Sequence, residues 1–366
     1  MSFLSHFSEV TDPRTQINVQ HDFIDVIFLT VSAVLSGAEG WSDIEVFGRD
    51  KLDWLRQYRP FENGIPVDDT IARIVRVICP EQLNKAFMNW VNEVRVETGK
   101  PQIAIDGKTL RHSYDGDKQT ALHSITAWSK DAGLVLAQLK SSGKKNENAS
   151  VLDLLDTLNI KGALISADAM NSQKKIVEKI CSENADYVLC IKNNHKQLRD
   201  EIAAYFHKVE RDNPAWIACN EQTDSGHGRI EVRRCQQLRV SEWISEAQHW
   251  KGIRSVIKIE RERHLKDKEV STETQYYISS LDIDPAAVNQ AIRAHWEVEN
   301  KVHWVLDVTF KEDDSRIRKE DGAENVGVIR RFCLNMARLH PKKASMRSKL
   351  KMAGWADEFR AELIFG

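Results

Sequence analysis

Two aspartates occupy positions where a sheet could put them to chemical use. Asp106 closes the apolar run Gln102-Ile103-Ala104-Ile105, and Asp168 closes Ala163-Leu164-Ile165-Ser166-Ala167. Short apolar runs of this kind read as buried strands. The two residues lie 62 positions apart, with a hairpin pattern and a helix pattern between them. If their strands are neighbours, both carboxylates face one point at the carboxyl edge of the sheet, where open α/β sheets gather their ligands. Two close carboxylates repel unless a cation or a proton intervenes. A hard divalent ion with oxygen ligands, Mg²⁺ or Mn²⁺, answers that need. The competing expectation is that each aspartate merely caps the turn after it.

A third carboxylate should come from His295-Trp296-Glu297-Val298-Glu299-Asn300. On a helix advancing about 100° per residue, Ile292, His295, Glu299, His303 and Leu306 form one stripe. Glu297 lies about 160° away from Glu299, so only one of them can face the site. Ile292 and Leu306 would anchor the Glu299 side against a core, which leaves Glu297 to solvent or to Lys301 at i+4. His295, Glu299 and His303 could alternatively form a zinc-binding stripe, although they lack the HExxH order.

The elements that must hold these groups follow from pattern. Residues 1–95 read as helical, with a helix from Asp22 to Ser36 closed by Gly37, a capping-box pattern at Ser42-Asp43-Ile44-Glu45, and Pro80 at a favoured first-turn position. Glu97 to Pro101 reads as a linker. From there the order is strand, β-hairpin, helix, strand, helix, strand, helix. This is the ribonuclease-H-like order, an α/β mixed-sheet fold in which the first and fourth strands lie side by side. Residues 213–283 read as a β-rich insertion with breaks at Gly226 and Gly228. Asp284-Pro285 starts a helix expected to reach about Val305.

Composition limits the function classes. The chain has 366 residues, 52 Lys plus Arg against 54 Asp plus Glu, and 42% hydrophobic residues. That is ordinary for a globular protein and excludes a uniformly basic surface, so any grip on nucleic acid must come from patches. The six cysteines include no CxxC pair, and free thiols in a reducing, cytoplasmic setting are expected. No signal-peptide pattern is read, and the apolar stretch Phe23–Leu35 is too short to span a bilayer.

Several of these segments resemble a known family. Ala104-Ile105-Asp106-Gly107-Lys108-Thr109-Leu110-Arg111, Ser166-Ala167-Asp168-Ala169-Met170, and His295 to Trp304 followed by Leu306-Asp307-Val308 resemble the H-repeat-associated bacterial insertion-sequence transposases. These belong to the DDE transposase group with a ribonuclease-H-like core. Gly37-Ala38-Glu39-Gly40-Trp41 and Glu62-Asn63-Gly64-Ile65-Pro66 resemble the family's N-terminal associated domain. The resemblance implies Asp106, Asp168 and Glu299 as a catalytic triad holding Mg²⁺ or Mn²⁺, with two ions about 3.5–4 Å apart. It implies cleavage at element ends, strand transfer into double-stranded target DNA, and a homo-oligomer on paired ends. Lys192 and Asn194 match a family motif in which Asn193 and His195 depart from the usual Gly and Gln.

Candidate DNA contacts follow. Lys108, Arg111 and Lys192 should lie near the carboxyl edge, where they meet a scissile phosphate or simply pair with the aspartates. Arg330, Arg331, Arg338, Lys342 and Lys343 belong to a run without acidic residues that ends at Lys351, fitting phosphate contacts or a solvated basic face. Trp243 and Trp250 either stack on a base or pack in the core. The expected organisation is a helical domain at 1–97, a catalytic core at 98–212 and 284–340, the insertion at 213–283, and a basic tail at 341–366. The rival functions are a Mg²⁺ nuclease that cuts without joining, and a domesticated DNA-binding protein without catalysis.

Overall fold

The computed structural model describes residues 3–15, 17, 19–95, 100–114, 121–141, 147–226, 229–265 and 269–366. Most of the expected linker and Gly228 lie outside this set. Nine strands form one sheet: β1 Gln102–Thr109, β2 His123–Ser129, β3 Leu134–Ser141, β4 Leu164–Ala167, β5 Asp186–Ile191, β6 Ala218–Gly226, β7 Arg229–Arg239, β8 Ser255–Leu265 and β9 Ser271–Ser279. Their order is β3-β2-β1-β4-β5-β9-β8-β7-β6. β1 and β4 are adjacent and parallel, with Ile105 opposite Ala167. That register puts Asp106 and Asp168, each one residue further on, at the same edge.

The β-rich stretch extends this sheet, because β9 pairs antiparallel with β5 and β6–β8 follow outward. β6 escapes a hydrophobic-pattern reading because Ala-Cys-Asn-Glu-Gln-Thr-Asp-Ser-Gly carries almost no apolar alternation and no residue in it is fully buried. At the opposite edge, β3 is closed by a side chain. Asn335 accepts from the Val135 N–H and donates to its carbonyl, at 3.0 and 2.8 Å. Both backbone groups are thereby satisfied without another strand.

Helix Gly322–Leu339 is buried on nearly every side, as expected of a helix enclosed by other elements. It packs on helices Phe23–Leu35, Asp68–Arg76 and Pro80–Val94 and on β3. One apolar core therefore runs from Phe28 and Phe87 through Phe332 to Trp128. Helix Phe23–Leu35 is capped by Asp22, whose side chain accepts from Ile24 and Asp25. The capping box expected with Ser42 at the cap does not form, because the helix Trp41–Asp50 starts two residues earlier with Gly40 at its cap and no side-chain cap bond. Asp43 reaches back to the Glu39 N–H while Glu45 accepts from Asp68.

Residues 341–366 are no loose tail. Met346–Trp355 and Asp357–Phe365 form two helices docked against the helix that ends at Leu339 and against Phe23–Leu35. Lys349 is buried and donates to the carbonyls of Ala337 and His340, satisfying groups that the helix end leaves open.

Burial also corrects two of the expected DNA contacts, Arg330 and Arg331, while Arg338 is half-buried and engaged within the fold. Arg331 is 0% exposed and pairs with Glu312 at 2.7 Å. Arg330 is 3% exposed. Arg338 lies with its guanidinium 4.5 Å from the Trp128 ring centroid, donates to the Lys301 carbonyl, and is lowered by burial to about 10. The sequence suggests one basic face here, but the helix that carries Arg330 and Arg331 is enclosed on nearly every side, which buries both.

Candidate active site

The helix that should carry Glu299 does not run straight. It spans Pro285–His295, capped by Asp284 with Pro285 at its first position. A π-helical turn then occupies Glu299–His303 before the α-helix resumes at Trp304–Val308. Such widened turns recur at functional sites because they rotate side chains off the regular stripe. Here the turn sets Glu299 and His303 against β1. Ligand atoms of Asp106, Glu299 and His303 all lie within 4.8 Å of one another. His303 Nδ1 is 3.1 Å from Glu299 Oε2 and 3.5 Å from Asp106 Oδ2. Its Nε2 is buried and has no partner among the described residues.

Asp168 lines the same cleft as Asp106 and Glu299, in a cavity of about 210 Å³ that Lys192, Tyr277 and Trp296 also border. Oδ1 of Asp168 accepts from the N–H and the side-chain amide of Asn171, both at 3.1 Å. Oδ1 of Asp106 accepts from the Gly107 N–H at 3.0 Å. The turn-capping expectation is thus met for Asp168, where it coexists with the shared cleft, but not for Asp106, which lies inside β1 three residues before its end. These bonds fix each carboxyl group in place.

Electrostatics marks the cluster as short of positive charge. Burial raises Asp106 to about 6, with Asp168 and Glu299 adding to the effect and His303 opposing it. Burial also raises Asp168, and the charge of Glu147 adds to this against the Asn171 hydrogen bonds and Lys192. Glu299 moves the other way, held down by its hydrogen bond to His303.

These directions set a pH prediction. Asp106 ionises less readily in the fold than in the unfolded chain, so its charge costs stability as pH rises from 3.8 through about 6. In metal-free buffer Asp106→Asn should therefore melt several degrees higher than wild type at pH 7.5, the gap closing towards pH 4. A scan of melting temperature against pH checks this, and a constant gap would contradict it.

Behind Asp168 stands a buried relay that sequence reasoning missed. Thr109 Oγ1 meets His123 Nδ1 at 2.9 Å, His123 Nε2 meets Glu147 Oε2 at 2.7 Å, and Glu147 Oε1 accepts from Asn171 Nδ2 at 2.6 Å. No sequence motif flags it, since Glu147 begins a helix of little amphipathic pattern. The relay explains Gly107. A Cβ there would sit 2.7 Å from Glu147 Oε1 and 2.8 Å from His123 Nε2. Gly107→Ala should cost about 1–3 kcal/mol, the usual price of overpacking. Denaturant unfolding would measure it, and unchanged stability would contradict the packing argument.

The other expected residues are distributed as follows. Lys108 is buried and bound to Asp307, to Glu312 at 3.0 Å and to Asp313 at 3.8 Å. Its role here is corrected from phosphate contact to strap. It ties β1, which carries Asp106, to the segment following Glu299. Arg111 is exposed and reaches Asp313 at 3.3 Å. Lys192 is exposed at the cleft. Asn194 spends its amide on the Ala169 carbonyl at 2.5 Å, bracing the Asp168 loop. Lys342 and Lys343 are exposed. Glu297 pairs with Lys301 at 2.7 Å, as its helical position predicts. His295 turns to Ser166 at 3.2 Å and is lowered by burial to about 4. It stays outside the close group of ligand atoms, so the His295–Glu299–His303 zinc stripe does not assemble. Trp250 is buried, while Trp243 is exposed beneath Lys208.

Residues 97–336 match the family described as Transposase DDE domain, and residues 4–91 match the family described as DDE_Tnp_1-associated. The chain belongs to the DDE transposase family. Relatives of this transposase family span nearly its whole length. The Escherichia coli (strain K12) protein named "H repeat-associated putative transposase YhhI" is 40% identical over 99% of this chain and 97% of its own length. "Putative transposase YncI" of Escherichia coli O157:H7 is 40% identical over 92% of this chain and 87% of its own. A shorter K12 protein, "Inactive transposase YbfQ", is 56% identical over 20% of this chain. Among the described residues no helix is long and apolar enough to cross a membrane.

Proposed function

We propose that the chain is a DNA transposase that cleaves phosphodiester linkages at the ends of an insertion sequence and joins the freed 3′ ends to target DNA. The observation that carries this reading is the convergence of Asp106, Asp168 and Glu299, from three distant segments, on one cleft. The donor set suits hard divalent ions. It consists of carboxylate oxygens of which two are raised chiefly by burial, Asp106 also by the charges of Asp168 and Glu299, an arrangement that a cation relieves. Asp106, Asp168 and Glu299 would hold two Mg²⁺ or Mn²⁺ ions, with His303 beside them. Such ions, when bound, lower the pKa of a water and offset charge on phosphoryl oxygens.

The chain's own residues do the rest. Asn171 and the Gly107 N–H fix the orientation of the aspartates. His303 holds Glu299 toward Asp106. Lys192 supplies positive charge at the mouth, where an incoming phosphate must pass. Arg111, Lys342 and Lys343 are the exposed cations that we assign to the DNA backbone. A homo-oligomer bringing two ends together, acting in the cytoplasm at the nucleoid, completes the reading.

The test is a supercoiled-plasmid assay with a donor end and Mg²⁺. Nicked and joined products together support transposition. Cutting alone would replace the reading with a nuclease, and DNA binding without cutting would leave a non-catalytic binding protein.

A further inference from the structure

Next to the carboxylate cleft lies a second groove of about 490 Å³, lined by residues of β6 and β7 and by residues between Arg293 and Lys301. Trp296 borders both cavities. The floor of the groove holds an unusual charge arrangement. Arg233 on β7 and Arg261 on β8 are paired across the ladder, so their side chains leave the same face of the sheet. They are 8% and 7% exposed. Glu231 is their shared counter-charge, 2.8 Å from Arg233 and 3.7 Å from Arg261, and Arg263 draws on it as well at 3.5 Å. Glu273 stands 3.7 Å from Arg261 but is half exposed.

Donors remain open. Arg233 Nε and Nη1 and Arg261 Nε are buried without a hydrogen-bond partner among the described residues. Burial and repulsion by Arg261 hold Arg233 below its ordinary range. Two rim cations, by contrast, are matched: Arg293 with Asp224 and Lys301 with Glu297. Buried guanidinium donors left open are costly. Arg233 lines the groove with Arg261 beside it on the same sheet face, and a planar fork with open donors is what a tetrahedral oxyanion satisfies with charge-assisted bonds. The Trp296 ring, 5.6 Å from the Arg261 guanidinium, walls the site on the side of the carboxylates.

We propose that Arg233, backed by Arg261, forms a binding site for a backbone phosphate of the DNA strand whose reacting linkage lies in the carboxylate cleft, one that neighbours the scissile phosphate. The site rests on the proposed function. A strand crossing Trp296 would enter the groove directly, and its phosphate would complete the donors that Glu231 cannot. Engagement at this floor sets how the strand is held as its linkage reaches the carboxylates.

The test is fluorescence anisotropy of a labelled duplex of about 30 base pairs, titrated with the full chain between about 50 and 200 mM salt. Arg233→Gln should bind more weakly and flatten the slope of log affinity against log salt by about 0.9, the contribution of one phosphate. A folded Arg233→Gln with wild-type affinity and slope overturns the site. Should that variant not fold, Arg233→Lys keeps the charge but loses the fork. It should bind several-fold more weakly at unchanged slope, and wild-type affinity overturns the site. If the wild-type chain fails to bind DNA at all, the proposed function falls as well, whereas an unaltered slope in a DNA-binding chain removes only this assignment.

Discussion

Asp168→Asn should abolish divalent-metal-dependent cleavage of DNA, lowering the rate by about a thousandfold or more, while duplex binding stays within a few-fold of wild type. A thousandfold corresponds to about 4 kcal/mol of barrier, a loss well within reach when a ligand to catalytic metal ions is removed. The substitution is nearly isosteric. The amide oxygen can still accept from the Asn171 N–H that now binds Asp168 Oδ1, so the turn after β4 should survive and only the charge is lost. Asp106→Asn and Glu299→Gln should behave alike, since each removes one carboxylate from the same cleft. Glu297→Gln serves as the control, because Glu297 is engaged with Lys301. Gel analysis of plasmid nicking, with anisotropy for binding, decides the matter. Wild-type cleavage by Glu299→Gln together with loss in Glu297→Gln would transfer the role to Glu297.

Glu312→Gln should be the most destabilising of the conservative polar changes. Glu312 is fully buried between Arg331 at 2.7 Å and Lys108 at 3.0 Å. Burial alone would raise its pKa, yet Arg331, Lys108 and Arg330 overcome that and hold it near 2. Removing the carboxylate leaves the buried guanidinium and ammonium without their shared counter-charge, a change that typically costs about 3–5 kcal/mol. The sign in pH follows from the depressed value. Glu312 supports the fold fully above 4.5 and loses that contribution as pH falls toward 2. Urea unfolding at pH 7 should show the loss, and the gap between variant and wild type should shrink at acidic pH. Equal midpoints would mean that the cluster contributes nothing. The consequence extends to the cleft, since Lys108 is the strap between β1 and the segment that follows Glu299.

The positions of Asp106 and Asp168 were legible in the sequence because buried parallel strands leave continuous apolar runs. A carboxylate ending such a run stands out against them. Glu299 could be preferred over Glu297 on helical geometry, and the Glu297–Lys301 pair follows from the same geometry. The involvement of His303 was only half visible. Glu299 and His303 do share a side, but His295 leaves the expected stripe, and a π-turn is set by tertiary packing and has no residue signature, so the approach of His303 to Asp106 could not be read. The reverse failure is the basic run. Arg330 and Arg331 look like surface residues because charge usually is surface. Their burial depends on Glu312, which comes from a separate turn, and on a helix enclosed on all sides. Long-range pairing of this kind leaves no local pattern. The same holds for the Glu147–His123 pair behind Gly107 and for Arg233 and Arg261, whose juxtaposition exists only through the register of β7 and β8.

The central claim is that carboxylates from β1, the turn after β4 and the π-turn jointly hold divalent ions. Calorimetric titration of the metal-free chain with Mn²⁺ tests it most directly, with Asp106→Asn, Asp168→Asn and Glu299→Gln titrated in parallel. The account predicts saturable binding by wild type that is weakened at least about tenfold in each variant, tenfold being about 1.4 kcal/mol. Wild-type Mn²⁺ affinity in all three variants would contradict it.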